Sequence, residues 1–298
     1  MALCTIRMLE EAQESVNIPL SLPEDQPVLL LDRTHDLAHQ DVLSHFALDE
    51  LLCRLTGDGG PAICHLWRHP RAFVMGVRDS RLPYAPQGEA MLRSLGYDTA
   101  VRHSGGAAVP LDAGVVNLSL ILPFSSAGPA PDFHQDFEIM VELIREALRG
   151  TGQNVETGEI AGAFCPGTFD LSVDGLKFCG IAQRRQRKAF IIQAFIIVEG
   201  SGSERARLVR SFYDIAAAGA EPKQYPLVEA NSTASLEELT SIGTGQNAVH
   251  TFIAAVKEVI RSWQSGKELT EAASRFTMPG SEEIRNMAEQ MQQRYNLN

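Results

Sequence analysis

The chain has 298 residues, of which 44% are hydrophobic and 21% charged, and its formal net charge is −11 at pH 7. This composition is typical of a globular protein with a full core. The excess of acidic residues argues against a nucleic-acid-binding surface as the main function.

The N-terminus and the cysteines bear on where the protein works. The first residues show no basic segment followed by an apolar one, as a signal peptide would. The longest apolar stretch, residues 189–198, is too short to span a bilayer. The five cysteines are irregularly spaced, and none pairs with histidines at zinc-site spacing. The sequence therefore predicts a cytoplasmic protein with reduced cysteines, no metal, no cofactor, and neither a nucleic-acid nor a membrane partner.

Strand and helix patterns alternate in the N-terminal half. Residues 1–40 show no sustained period and are interpreted as an irregular arm with an edge strand at 28–32. Apolar residues at helical spacing then predict a helix that begins near Val42 and ends at Gly57. A short helix is predicted at 87–95, and strands at 62–67, 72–76, 99–102 and 115–122.

The C-terminal half contains the strongest local signal. Asp174-Gly175 lies between two alternating apolar runs, 169–173 and 176–182, and predicts a β-hairpin. Ser235 and Glu238 form a capping box that begins a short helix. The remaining predicted elements are a strand at 189–198, helices at 133–148, 201–218 and 252–263, and a polar helix after Pro279.

Strands and helices are interspersed without a regular βαβ repeat, which predicts an α+β fold. The predicted organisation has three parts. They are an irregular N-terminal arm at 1–40, a catalytic domain at 41–265 and a polar helical C-terminal tail at 266–298.

Cys165 is the candidate nucleophile. It lies in the turn Cys165-Pro166-Gly167, and the hairpin places Lys177 on a neighbouring segment, where a cation can activate a thiol. A lone cysteine is more often a buried apolar residue, and a hairpin lysine is more often solvated. Cys179 is the rival nucleophile, because in a regular strand it points to the same face as Lys177. We interpret it as a core thiol.

Three segments together carry a resemblance to a known family. One is the helix at residues 47–50, Ala47-Leu48-Asp49-Glu50, which fits the first helix of that family. RHSGGAAVPLDAGVVNLSL, residues 102–120, resembles the lipoate-protein ligase signature, and GLKFCGIAQRR, residues 175–185, resembles the second motif of that family. The glycine motif departs from that of the ATP-using ligases at Ala107, and the turn around Cys165 is similar to the cysteine branch of the biotin/lipoate protein ligase family. The resemblance implies a central mixed β-sheet flanked by helices.

The resemblance also implies a reaction. An octanoyl group would pass from octanoylated glycine cleavage H protein, through a thioester on Cys165, to the lipoyl-domain lysine of E2 subunits. Lys177 would activate the thiol, and His103 is a candidate proton relay. The residues expected to bind substrate are Arg102, Ser104, Gly105, Gly106, Ala107 and Gly180. The side chains expected to line an acyl slot are those of Val74, Val109, Leu118 and Phe164.

Acidic carrier domains would need a basic docking patch on a chain of this charge. The predicted patch is Arg184, Arg185, Arg187 and Lys188, and the fallback is His65, Arg68, His69 and Arg71. Three alternatives stay open: an octanoyl donor that is an acyl carrier protein, an ATP-dependent lipoate ligase, and a non-catalytic protein that binds lipoyl domains.

Overall fold

The computed structural model describes residues 27–38, 41–124, 133–264, 266–274 and 276–294. Most of the predicted N-terminal arm lies outside these ranges. The strands are β1 Val28–Arg33, β2 Ala62–Trp67, β3 Arg71–Met75, β4 Asp98–Val101, β5 Val109–Asp112, β6 Val115–Pro123, β7 Glu156–Thr157, β8 Leu171–Val173, β9 Leu176–Arg185 and β10 Ala189–Ile197. The helices are α1 Leu43–Gly57, α2 Ala85–Ser94, α3 Phe133–Leu148, α4 Gly202–Ala216, α5 Leu236–Leu239, α6 Gln246–Ser262, α7 Gly266–Ser274 and α8 Ser281–Arg294.

The main sheet has the strand order β1-β2-β6-β10-β9-β8-β7. Only β1 and β2 are parallel, and the other neighbours run antiparallel. Side chains alternate between its faces. Leu118 and Leu120 of β6 enter a core with α3 and α6, whereas Ile121 packs on the opposite face against α1. The predicted α+β class with a mixed, helix-flanked sheet is confirmed.

A second sheet of order β4-β3-β5 carries the loop that becomes part of the site. The apolar face of this sheet packs against α2 and α4, with Phe73 of β3 against Phe212 of α4. The loop between β4 and β5 contains the Ser104-Gly105-Gly106 turn. Strand β5 was not predicted, because Pro110 interrupts its short apolar run.

The last helix of the chain is packed against the fold. Helix α8 lies on α1, with Met287, Ala288 and Met291 buried. Its polar composition predicted the helix but gave little sign of this packing, which rests on three small or flexible apolar residues. The domain boundaries themselves stay a prediction. No helix in the described ranges is long and apolar enough to cross a membrane.

Candidate active site

Cys165 is held in a backbone conformation that few non-glycine residues adopt. Its φ is 47°, in the left-handed region, which is strained for a residue with a Cβ. Asp170 closes the loop, since its carboxylate accepts a hydrogen bond from Gly167 N at 2.9 Å. The side chain is buried, with 8% of the residue exposed. Such strain persists only where neighbours enforce it, and here Lys177 does so.

The ammonium of Lys177 fixes the loop that carries Cys165. Its ammonium donates to Phe164 O at 2.9 Å, to Cys165 O at 2.6 Å and to Asp170 Oδ2 at 2.7 Å. An ammonium has three N–H donors, so all of them are used. The sequence suggested that Lys177 acts on the sulfur and activates the thiol. In this geometry it positions the cysteine backbone, and its catalytic role stays a prediction.

Asp170, which the sequence analysis did not single out, completes a fully buried ion pair. The exposed fractions of the Lys177 and Asp170 side chains are 0% and 1%. Burial raises the pKa of Asp170 to about 6, against the lowering effect of Lys177. Near neutral pH the carboxylate is charged and holds the lysine.

The cation that contacts the sulfur is Arg102. Its Nη2 lies 3.3 Å from Cys165 Sγ, and Ala107 N donates to the same sulfur at 3.3 Å. The guanidinium also donates to Ala107 O at 2.7 Å and to Gly105 O at 3.2 Å, so it orders the loop that it belongs to. A guanidinium and a backbone N–H that converge on one sulfur stabilise a thiolate.

Two positions in the site leave no room for a Cβ atom. A Cβ on Gly106, whose φ is +99°, would lie 2.6 Å from Arg102 Nη2 and 2.8 Å from Cys165 Sγ. A Cβ on Gly180 would lie 2.4 Å from a ring carbon of Phe195. Both positions therefore need glycine, because real side chains do not approach so closely. At Gly105 a Cβ would meet open space.

A cavity opens beside the thiol, and its wall is mostly apolar, as in typical small-molecule sites. The apolar side chains on its wall are Phe46, Trp67, Val74, Val109, Leu111, Ile181, Ala182, Ala194 and Phe195. Val74 and Val109 therefore lie where the sequence analysis expected them. The expectation for Leu118 is wrong, because strand alternation turns Asn117 and Ser119 of β6 into the cavity and Leu118 away from it. Phe164 lies behind the wall, stacked on Phe195.

Polar groups lie among these apolar walls. Ser104 Oγ, Asn117 Nδ2 and Trp67 Nε1 are buried and have no hydrogen-bond partner among the described residues. They are available to hydrogen-bond a bound molecule. Asp49 of α1, which the sequence analysis placed in the first helix without a role, binds Ser119 Oγ at 2.6 Å and Gln193 Nε2 at 2.8 Å.

Cys179, the rival nucleophile, lies in the core on the face of the sheet that packs against α3 and α6. A β-bulge between β8 and β9 pairs Leu171 with Cys179 and the next residue, Ser172, with Lys177. The bulge inserts one residue, so Lys177 and Cys179 do not share a face as a regular strand predicted. Cys179 is buried in the core under α3 and α6, and burial raises the pKa of its thiol well above the ordinary value.

His103 interacts with the backbone of Met291 in α8. Burial lowers the pKa of its imidazole. The ring thus links the loop after β4 to the last helix, and its relay role stays a prediction. No group of three or more His, Cys, Asp or Glu residues that could hold a metal is found in the described part of the chain.

Three of the four cations in the predicted docking patch are neutralised within the fold. Arg184 pairs with Glu50 at 2.7 Å, Arg185 pairs with Asp136, and Lys188 pairs with Asp58 at 2.9 Å. The fallback patch is wrong as a surface, because three of its residues, His65, Arg68 and His69, are buried. The docking role of the first patch stays a prediction.

Comparison with known proteins shows the family of the chain. Residues 41–261 match the model of the lipoyl protein ligase A/B catalytic domain. The chain is 42% identical to an octanoyl-[GcvH]:protein N-octanoyltransferase of Anoxybacillus flavithermus, over 74% of this chain and 79% of that protein. It is 36% identical to a lipoyl-[GcvH]:protein N-lipoyltransferase of Listeria monocytogenes, over 75% of this chain and 81% of that protein.

A solved structure supports the same fold. The bipartite lipoate protein ligase of Thermoplasma acidophilum matches with a TM-score of 0.55 and 18% identity, over 90% of this chain and 91% of that one. The resemblance seen in the two sequence motifs is thereby confirmed. The chain belongs to the family of the lipoyl protein ligase A/B catalytic domain.

Proposed function

We propose that this protein transfers an octanoyl group from octanoylated glycine cleavage H protein to the lipoyl-domain lysine of E2 subunits, through a thioester on Cys165. Support comes from the relatives, several of which are octanoyl-[GcvH]:protein N-octanoyltransferases at about 40% identity. The observation that carries the proposal is a thiol bound by Arg102 and Ala107 N at the end of an apolar-walled cavity. A cytoplasmic location is part of the proposal.

In the first step the Cys165 thiolate attacks the carbonyl carbon of the octanoyl-lysine amide of the donor. The carbonyl oxygen takes up negative charge, and the backbone N–H of Ala107 lies beside it, because this group already contacts the sulfur. The C–N bond then breaks. The leaving lysine amine takes one proton, which balances the proton that Cys165 released when it ionised.

In the second step the neutral amine of the acceptor lysine attacks the thioester carbonyl. The C–S bond breaks, and the departing thiolate returns to Arg102 and Ala107 N. The amine loses one proton, so the net reaction exchanges one lysine amide for another. Bonds of the same kind are broken and made, and the transfer needs no ATP.

In this proposal the acyl chain runs across the strands that line the cavity. Trp67, Asn117, Phe195 and Gly180 are paired in one row over β2, β6, β10 and β9. Three strand spacings of about 4.8 Å give this row a length of roughly 14 Å. An extended eight-carbon chain fits within it, with its carbonyl at the Cys165 end.

The test is to incubate the purified protein with octanoylated glycine cleavage H protein and no ATP. Intact-mass spectrometry should show one octanoyl adduct, and peptide mapping should place it on Cys165. Cys165→Ala should abolish both adduct and transfer, while Cys179→Ala keeps them. An adduct on Cys179, or transfer by Cys165→Ala, would refute the proposed chemistry.

Two alternatives are decided by the same experiment. Octanoyl-acyl carrier protein as donor would give the same adduct. The rates of octanoyl transfer from the two donors therefore identify which donor class the protein uses. A strict requirement for ATP and free octanoate would instead indicate a ligase.

A further inference from the structure

A short 3₁₀ turn, Asp79–Arg81, lies directly behind the loop that holds the thiol. A Cβ on Gly76, just before this turn, would lie 2.1 Å from Gly106 O, so the two backbones touch. Asp79 is 1% exposed and fixes the turn from inside, because it accepts from Gly76 N at 2.8 Å and from Tyr213 Oη at 2.9 Å. The turn therefore moves little relative to Cys165.

The outer side of this turn is cationic. Arg78 and Arg81 are exposed and three positions apart, and a 3₁₀ helix has three residues per turn, so the two side chains project on one side. Neither guanidinium makes an ion pair or a side-chain hydrogen bond with the described residues. In contrast, carboxylates neutralise most of the predicted docking patch, Arg184, Arg185, Arg187 and Lys188, at the end of β9.

Tyr213 also contacts the segment that carries an exposed apolar residue. Tyr225 stacks on Tyr213, with ring centroids 5.5 Å apart. Two residues later Leu227 is 64% exposed. Exposed arginines and exposed apolar side chains together resemble the composition of a protein interface, where arginine is enriched.

We infer that Arg78, Arg81 and Leu227 form a docking rim for an acidic carrier domain that presents its acylated or acceptor lysine to Cys165. The inference rests on the proposed function and adds to it the surface that the carriers use. The chain carries a net charge of −11 and repels acidic domains on average, so productive encounters need local cations close to the thiol. The rim supplies them on a rigid support that touches the thiol-binding loop.

The test compares two charge reversals of equal size. One double variant, Arg78→Glu/Arg81→Glu, reverses the charge of the rim. The other, Arg185→Glu/Arg187→Glu, changes the predicted docking patch by the same net charge. At low salt the rim variant should raise the KM for octanoylated glycine cleavage H protein at least tenfold with kcat unchanged, and added salt should shrink the difference. The patch variant should change KM less than threefold. Alkylation of Cys165 by iodoacetamide should be equal in both variants.

Two further measurements separate this inference from the proposed function. Titration of the unacylated carrier domain measures docking without turnover, and the rim variant should bind at least tenfold more weakly than the wild type. Leu227→Ala should weaken binding severalfold without reducing its salt dependence. Unchanged binding and KM in the rim variant overturn the rim, whatever the wild type transfers. A wild type that binds the carrier through the rim and transfers no octanoyl group overturns the proposed function alone.

Discussion

The buried pair of Lys177 and Asp170 gives the sharpest test of how the thiol loop is held. Asp170→Asn keeps the shape of the side chain and removes its charge. Lys177 is 0% exposed, so its ammonium then loses the one carboxylate that pairs with it among the described residues, in a place closed to solvent. Breaking one side of a buried pair costs roughly 3–5 kcal/mol of unfolding free energy. At about 2 °C per kcal/mol for a chain of this size, the melting temperature should fall by roughly 6–10 °C.

The double variant Asp170→Asn/Lys177→Met separates charge from position. With both charges gone, no unpaired charge is buried. The loss of unfolding free energy in the double variant should therefore be smaller than the sum of the two single losses, by about 2 kcal/mol or more. Transfer should nevertheless stay low, because nothing then fixes the backbone of Cys165. Stability is measured by urea unfolding and activity by octanoyl transfer.

The matched control is the exposed pair of Lys188 and Asp58, whose side chains are 58% and 72% exposed. Asp58→Asn should leave both the melting temperature and transfer nearly unchanged, because surface pairs contribute little. If Asp170→Asn behaves like this control, or if the two buried substitutions are additive, the ion pair does not hold the loop.

Three more predictions follow from the site. Gly106→Ala should lower transfer at least tenfold, since its Cβ would lie 2.8 Å from Cys165 Sγ. Gly105→Ala is the control and should transfer nearly as the wild type does, because its Cβ meets open space. Equal activities of the two variants would contradict the packing. Arg102→Gln should slow iodoacetamide alkylation of Cys165 at pH 7 at least threefold, and an unchanged rate would remove the guanidinium from thiol activation. Transfer should fall as the pH is lowered through about 6, because protonation of Asp170 breaks its ion pair at that pH rather than near 4, and a profile flat down to pH 5 would refute this.

The parts of the fold that depend on adjacent residues could be predicted from the sequence. The hairpin turn has positive φ at both Asp174 and Gly175, as Asp-Gly in a two-residue turn predicts. The capping box of Ser235 and Glu238 forms with both of its reciprocal hydrogen bonds. In each case the decisive interaction lies within a few residues, so the pattern itself contains it.

The geometry of the thiol could not be predicted, because it depends on contacts between distant segments. Arg102 meets Cys165 across 63 positions, and no local pattern reports such a pairing. The bulge that separates Lys177 from Cys179 is likewise set by register with β8. Asp170 did leave a signal: aspartate is disfavoured in strands, yet it lay inside the predicted strand at 169–173, which in fact begins at Leu171.

The backbone on either side of Lys177 pairs with a segment made much later. Lys177 N donates to Ser232 O and Ala234 N donates to Lys177 O, each at 3.0 Å. Ser232 Oγ also donates a hydrogen bond to Gly162 O at 2.9 Å. On the ribosome the cysteine loop emerges before these partners exist, since synthesis runs from the N-terminus. The reactive geometry is therefore completed only when the C-terminal third arrives. A nascent or truncated chain that ends before Ser232 therefore contains the cysteine without the hydrogen bonds that support its loop.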